Sequence, residues 1–381
     1  LFGSDYLIRI KVPKGSFYQT IMAHGVEKKP EDRRISHSTH YNEFSKTLVE
    51  NNTGQDKTLI YQASMRGGAG LAIASLAIAA RQKYSGEFTQ AEYLEAAEQA
   101  FEFLAENNGR LTNDGQDNIV DEYSGLMAAT ELYKTTGKGA FFTAAYQKAQ
   151  QLLERKMNHQ GHYFLRADET NRVYFHPSDA GLPYVSLLNF YDIADQRMKK
   201  NILKSLKQLL TSELAITSAV TNPFGYARQL VENMKGEKFS SFFFPHQTLA
   251  SPWWQGENAR LSSLAATAKL ASNYFEEDVE FHTELQRYAT NQLNWILGLN
   301  PFDSSMLQGS GRNVQAHYWI NDSYQYTGAT GGIINGITAG LNNPNDIDYN
   351  DREYHRQPAH SWRWAEQWLP HSAWFLYAIS L

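Results

Sequence analysis

The sequence predicts an all-α fold assembled from stacked helical hairpins. Apolar residues recur at helical spacing along segments of about 12–20 residues, the usual range for globular helices. Helix start and stop signals bracket several of these segments, and alternating short and long connections join them. Strand signals are few. Closed into a ring, such hairpins make a toroid whose long loops gather at one mouth. Periodicity does not by itself require closure. A helical solenoid is the structural alternative, although no repeat of fixed period runs through the chain.

Tyr61–Gln82 is rich in Ala, Leu and Ile with little polar surface, and reads as a buried helix. Thr89 followed by Glu92 makes a capping-box pattern that opens a helix running to Asn107, and Gly109 stands where that helix is expected to stop. Asp121–Thr136 is ended by Gly137, and Ala140–Met157 pairs with it across a short turn. Leu182–Ala194, Gln196–Leu214, Ala259–Tyr274, Asp278–Leu297 and Pro370–Ser380 are the remaining helical segments. His162–Leu165 and Val173–Phe175 are expected to form a short hairpin. No Pro/Gly/Ser linker divides the chain, so residues 1–381 read as one domain. Asn300–Asp351, rich in Gly and Asn, reads as a mouth-forming loop excursion within it.

With 42% hydrophobic and 20% charged residues, the chain can bury a substantial core and is not expected to be disordered. A net charge of −5 with both signs mixed lacks the basic face that nucleic-acid binding needs. There is no cysteine, which excludes disulfides and thiolate metal sites without fixing the compartment. The most apolar run, Leu71–Ala80, is too short for a membrane span, which takes about 20 residues. No phosphate-cradling loop is present, and no cofactor is expected. Gly67-Gly68 and Gly331-Gly332 read as turn or close-packing glycines, and Gly309-Ser-Gly311 lacks the strand context of a nucleophile elbow.

Two stretches point to carbohydrate chemistry. Trp295-Ile-Leu-Gly-Leu-Asn-Pro-Phe302 resembles the ILGxNP signature of family nine glycoside hydrolases, and Trp362-Arg-Trp-Ala-Glu-Gln-Trp368 sets a carboxyl among sugar-sized aromatic surfaces. Other elements resemble the family in the same order. Phe2–Ile10 is similar to its "DYLL" helix, Gly15-Ser-Phe-Tyr and Lys29-Pro-Glu-Asp-Arg-Arg34 to "GGVY" and "PED…R". Asp121–Tyr133 with Thr136-Gly137 is similar to "DExxWAAAELYxATG", and Gly256-Glu-Asn258 after Trp253-Trp254 to the "GxN" entering a helix.

The resemblance implies an (α/α)6 toroid and inverting hydrolysis by an Asp base near the N-terminus and a Glu acid near the C-terminus. Glu366 is the matching acid, with Ser372-Ala373 standing where the family often has Asn-Ala. The base is expected in a "DxGD"-like motif before the "DYLL" helix. No such motif follows Leu1, so the N-terminal part of the toroid, with the base, is expected to be missing from this chain. The family's "HHR" becomes Ala316-His-Tyr-Trp319, and the segment from Asp351-Arg352 to Glu366 is longer than in common cellulases. These departures suit a divergent, endoglucanase-related subgroup that includes exo-acting glucosaminidases for chitosan oligosaccharides.

Glu366 precedes Pro370, a favourable first helical residue, and so is expected on a loop at a helix entrance. Trp362, Trp364 and Trp368 are placed to desolvate it and raise its pKa, as a general acid requires. The plainer alternative is a loop Glu paired with Arg363. All eight tryptophans lie between Trp253 and Trp374. Trp253, Trp254, Trp319 and Trp364 fall in loop-like sequence and are the substrate-binding candidates, although large aromatics also fill cores. Trp295 and Trp374 lie on apolar helix faces and read as core. His317 is a candidate sugar ligand through its "HHR"-like position, Asp351 a candidate loop or substrate contact beside Arg352, and Tyr123 a candidate for the cavity. Asp121-Glu122 at a helix start reads as a dipole-favoured cap. Asp346, Asp348 and Asp351 carry a weak calcium signal but lack the EF-hand pattern, and His355, His360 and His371 are scattered, so no metal is expected. The expected partner is an oligosaccharide, with no nucleic acid and no membrane. Another helical-toroid sugar enzyme (an epimerase or unsaturated glucuronyl hydrolase) and a catalytically inactive sugar-binding protein are the alternatives.

Overall fold

The computed structural model describes residues 1–23, 33–36, 61–245, 248, 255–315, 317–320, 323–326, 329–340, 343–349 and 361–381. The chain forms two compact units, Leu1–Glu154 with Asn189–Ala194, and Arg155–Leu188 with Asp195–Leu381.

The first unit contains α1 (Phe2–Arg9), the hairpin of β1 (Thr20–Ala23) and β2 (Arg33–Ser36), then α2 (Gly70–Ala80), α3 (Gln90–Asn107), α4 (Ile119–Thr136) and α5 (Gly139–Glu154). Its core gathers Ile73, Leu76, Tyr93, Leu104 and Leu132 from three of these helices. The capping box is made in both directions: Thr89 accepts from Glu92 N–H, and the Glu92 carboxylate accepts from Thr89 N–H. Gly137 closes α4 in the left-handed conformation, at φ 68°. Gly109 does not end α3 in this way. The chain tightens into a 3₁₀ turn, Asn108–Leu111, with Gly109 inside it. The helix expected from Tyr61 also starts late. Gln19 N–H donates to Tyr61 O and Ala63 N–H to Phe17 O, which ties residues 61–63 into extended pairing. Ser64 then caps a π-turn, Met65–Ala69, that runs into α2. Periodicity is blind to a pairing partner so far away in sequence. Asp121 caps α4 reciprocally with Asn118 and pairs with Arg66 at 3.0 Å, so this carboxylate is occupied in holding a helix start.

The second unit contains α6 (Leu182–Tyr191) up to Leu188, its last three residues falling in the first unit, then α7 (Gln196–Ser218), α8 (Asn258–Ser272), α9 (Val279–Ile296), the short α10 (Trp362–Ala365) and α11 (Leu369–Ser380). Asp195 and Asp278 cap α7 and α9 through their side chains. Among the described residues, four antiparallel pairs punctuate it: β3 (Lys156–His159) with β4 (His162–Leu165), β5 (Gln229–Glu232) with β6 (Lys238–Ser241), β7 (His317–Ile320) with β8 (Ser323–Tyr326), and β9 (Thr338–Ala339) with β10 (Ile347–Asp348). The partner of His162–Leu165 is therefore Lys156–His159 and not Val173–Phe175. Gln160 and Gly161, at φ 51° and 86°, form the two-residue left-handed turn that suits a hairpin. Val173 forms an isolated bridge to Arg166, with Tyr174 N–H donating to Leu165 O at 2.8 Å. Trp295 is core, 3% exposed, with its ring 4.6 Å from that of Tyr226.

Candidate active site

The site is built outward from the end of α9. Gly298, at φ 118°, breaks the helix, and Asn300 fastens the loop that follows. Its amide donates to Trp295 O at 2.9 Å and Ser304 O at 2.8 Å, and its oxygen accepts from Phe302 N–H and Ser304 N–H. Every hydrogen-bonding position of this buried side chain is thereby used. The signature motif thus fastens the loop that carries Met306–Gln308 to the site. From there Ile334 N–H donates to Met306 O at 3.0 Å and Gln308 N–H to Gly332 O at 2.8 Å.

The strip Gly332–Gly336 is held from several sides. Ile333 N–H donates to Ser372 Oγ at 3.0 Å, and Asn258 Nδ2 donates to Ile334 O at 2.8 Å. Asn335 N–H donates to Glu366 O at 2.8 Å, and Gly336 N–H to Trp364 O at 2.7 Å. The family-like Gly256 explains the tightness of the approach: a Cβ there would stand 1.7 Å from Asn335 O. Gly256→Ala must push this strip aside. It is expected to cost about 1–3 kcal/mol, as overpacking does. A thermal unfolding midpoint equal to the parent's would contradict that close contact.

Glu366 ends α10 in extended conformation and is half-buried. Burial raises its pKa above the ordinary carboxylate value, and a hydrogen bond from the Asn335 side chain opposes the rise. Asn335 Nδ2 also donates to Trp362 O at 2.7 Å, while its oxygen lies 2.9 Å from His371 Nε2. His371 Nδ1 accepts from Ala259 N–H at 2.7 Å. Burial depresses the His371 pKa to about 3, so the ring is neutral at working pH. A carboxyl whose pKa burial lifts above the ordinary value, held at the mouth of a helix, is suited to general acid catalysis.

The other sequence-derived candidates fall out differently. Trp364 is 3% exposed; its indole N–H donates to Asp348 O at 3.0 Å and the Arg363 guanidinium covers its ring at 4.9 Å. That enclosure leaves no face for a sugar, which corrects the expectation of a binding platform there. Tyr123, on α4, is 1% exposed. Arg363 pairs with Asp348 at 2.7 Å rather than with Glu366. The strand carrying His317 and Trp319 runs beside α10, close to Glu366 in the fold. Trp253, Trp254 and Asp351 lie outside the described residues. Among the described residues no group of three or more acidic or His side chains is arranged to hold a metal. Asn335 was not foreseen. Its sequence signal is an Asn set between glycines, Gly331-Gly332 and Gly336, immediately before β9.

The chain matches the pattern of glycosyl hydrolase family 9 over residues 1–357, a span that stops short of Glu366. No curated protein matches. Among solved structures it is similar to a metagenome-derived glycoside hydrolase family 9 endoglucanase, at 17% identity and TM-score 0.60, covering 99% of this chain and 59% of that one. It is also similar to endoglucanase CelQ from Clostridium thermocellum complexed with cellotriose (16%, TM-score 0.51, 83% of this chain and 47% of that one). A third is the cellulase Cel9M of C. cellulolyticum in complex with cellobiose (16%, TM-score 0.56, 99% and 75%). The chain thus spans about half to three fifths of the length of the first two of these relatives. At such identities the likeness carries the fold, which is the predicted all-α, (α/α)6 class. With the family pattern running through nearly all of its length, the chain belongs to glycosyl hydrolase family 9.

Proposed function

We propose that this chain is the catalytic domain, residues 1–381, of an inverting glycoside hydrolase that cleaves β-linked gluco-configured oligosaccharides, with Glu366 as the general acid. The observation that carries the reading is the Glu366 carboxyl, half-buried, with its pKa raised by burial, at a position that matches the family's acid. In the reaction Glu366 gives its proton to the glycosidic oxygen as the bond to the anomeric carbon breaks. A carboxylate base takes a proton from the water that attacks the opposite face. His317 and Trp319, on the strand beside α10, and Trp253, Trp254 and Asp351 are the side chains proposed to hold the sugar.

Exo action on short chitosan or cello-oligosaccharides is the finer form of the proposal. It rests on the departures at His317–Trp319 and on the long segment from Asp351 to Glu366, which are suited to wall off one end of a cleft. In the native full-length protein, ¹H NMR of a fresh digest should show the product with inverted anomeric configuration, and the base should stand about 6.5–9.5 Å from Glu366. Retained configuration would refute the inverting mechanism. Viscosity of a soluble polymer should fall slowly while monosaccharide appears from the first time point, and rapid viscosity loss with little monosaccharide would refute exo action. Binding of oligosaccharide without any hydrolysis would favour the sugar-binding alternative.

A further inference from the structure

We propose that Asp179 is a specificity residue: its carboxylate receives a positively charged group of the substrate, the ammonium of an amino sugar. The proposal deepens the reading of Glu366 as the acid of a glycoside hydrolase, and rests on that reading for where the substrate lies. Asp179 stands in the stretch that enters α6, and its side chain is held at one oxygen. Oδ1 accepts from Trp374 Nε1–H at 2.7 Å and from Ser178 Oγ–H at 3.0 Å. Oδ2 meets no donor among the described residues, and Asp179 is half-buried rather than enclosed.

Two ordinary duties of an aspartate at a helix entrance fall to other groups here. One is capping. Gly181 N–H donates to Ser263 Oγ at 3.0 Å, Leu182 N–H donates to the backbone O of Asp179 at 2.9 Å, and Pro183 has no N–H to satisfy. These amides at the start of α6 need nothing from the carboxylate. The other duty is ion pairing. Among the described residues no lysine or arginine pairs with Asp179. Its neighbour His176 adds no charge. Nδ1 of that ring accepts from Ser178 N–H at 3.1 Å and Asp179 N–H at 2.8 Å, and burial lowers the His176 pKa. Trp374 and Ser178 are neutral donors, which a side-chain amide would satisfy as well as a carboxylate. Nothing in this arrangement uses the negative charge.

Its place is the end of the second unit where Glu366 lies. α8 and α11 run side by side in one direction, since Ala259 N–H meets His371 Nδ1 at 2.7 Å and Lys269 Nζ donates to Ala378 O at 2.8 Å. Glu366 stands just before α11. Asp179 meets that helix at Trp374, about a turn and a half from its start. Gly181 meets α8 at Ser263, in its second turn. The entrance of α6 thus lies toward the end of the α8–α11 pair that carries the acid, with Asp179 set deeper along the helices than Glu366.

Glucosamine is the cationic member of the gluco-configured sugars, its amine being protonated at working pH. A carboxylate oxygen that meets this ammonium makes a charge-assisted hydrogen bond, about twice as strong as a neutral one. The hydroxyl of glucose at the same position makes the weaker bond. Asp179 thereby separates the two sugars by charge rather than by shape.

The test uses the native full-length protein and calorimetric titration with the two monosaccharides. The parent should bind glucosamine about tenfold or more tightly than glucose, as loss or gain of one charged hydrogen bond implies. Asp179→Asn keeps an acceptor for Trp374 and Ser178 and removes the charge. It should cancel most of that preference, leave glucose affinity and the unfolding midpoint near the parent's, and lower kcat/KM for chitobiose but not for cellobiose. Equal affinity for the two sugars in the parent overturns the proposal; an Asp179 already engaged by a cation elsewhere in the chain would give that result. An Asp179→Asn that weakens both sugars alike also overturns it, since that is the signature of a structural role. If the variant fails to fold, the parent decides through the Asp179 carboxyl ¹³C resonance, which glucosamine should shift and glucose should not. The two readings fail separately. Undiminished hydrolysis in Glu366→Gln removes the acid assignment, while the ratio of sugar affinities still reports on Asp179.

Discussion

With Glu366 as the proposed acid, Glu366→Gln should remove proton donation and lower turnover of substrates with poor leaving groups by about 10²–10⁴-fold, the usual contribution of a general acid. The amide keeps the size of the carboxyl and can still meet Asn335, so folding and sugar affinity should change little. Substrates whose leaving group departs without a proton should be largely spared. Burial raises the pKa of Glu366, so the protonated form persists to higher pH than for an exposed carboxyl. The basic limb of the parent's pH–rate profile should accordingly lie above the ordinary carboxylate range, and it should vanish in Glu366→Gln. Unaltered hydrolysis of a natural disaccharide by the mutant would rule out the assignment.

The largest effect on stability is expected at Arg260. This side chain and Glu257 are each 1% exposed and form an ion pair across one turn at the start of α8. Arg260 also donates to Ala227 O at 2.9 Å and Phe242 O at 3.2 Å, and stacks over Tyr226 at 5.3 Å. Glu257 accepts from Phe244 N–H and keeps the guanidinium firmly protonated. Arg260→Met strands the Glu257 charge in the interior and should cost about 3–5 kcal/mol. With an unfolding entropy of about 2 cal/mol/K per residue, the midpoint should fall by roughly 4–6 °C in calorimetry. Replacing both partners, as Glu257→Leu with Arg260→Met, should cost less than the single change, because no charge is left unpaired. A single mutant within about 1 kcal/mol of the parent would show that water reaches the pair.

Much of the helical framework was legible in the sequence because helix signals are local. The Thr89–Glu92 box and the Gly137 stop each depend on residues within one turn. What periodicity missed was non-local, as with the extended pairing of residues 61–63 to Phe17 and Gln19. The site was legible only in part. Glu366 stood out through its resemblance to the family's acid, since composition alone does not distinguish it from any loop carboxylate. Trp364 was misjudged because aromatic chemistry suits a sugar and a core equally, and only enclosure separates the two. Asn335 and His371 were invisible in their roles because the hydrogen bonds that define them join three stretches far apart in the chain: the start of α8, the strip before β9 and the start of α11.

The position of Asn335 before Gly336 has a bearing on how the protein ages. Asparagine followed by glycine is the pair most open to spontaneous deamidation, in which the next backbone nitrogen attacks the side-chain amide carbon. Here that nitrogen is tied to Trp364 O and the amide is pinned between His371 and Trp362. In the folded chain the attack has neither a free nucleophile nor a mobile target. Each excursion that opens this strip releases both, and the product would set a new carboxylate against Glu366. The chemical lifetime of the site is thus coupled to how seldom this part of the chain unfolds. A warm, partly destabilised sample should lose activity irreversibly, with a one-dalton mass gain in the peptide that contains Asn335.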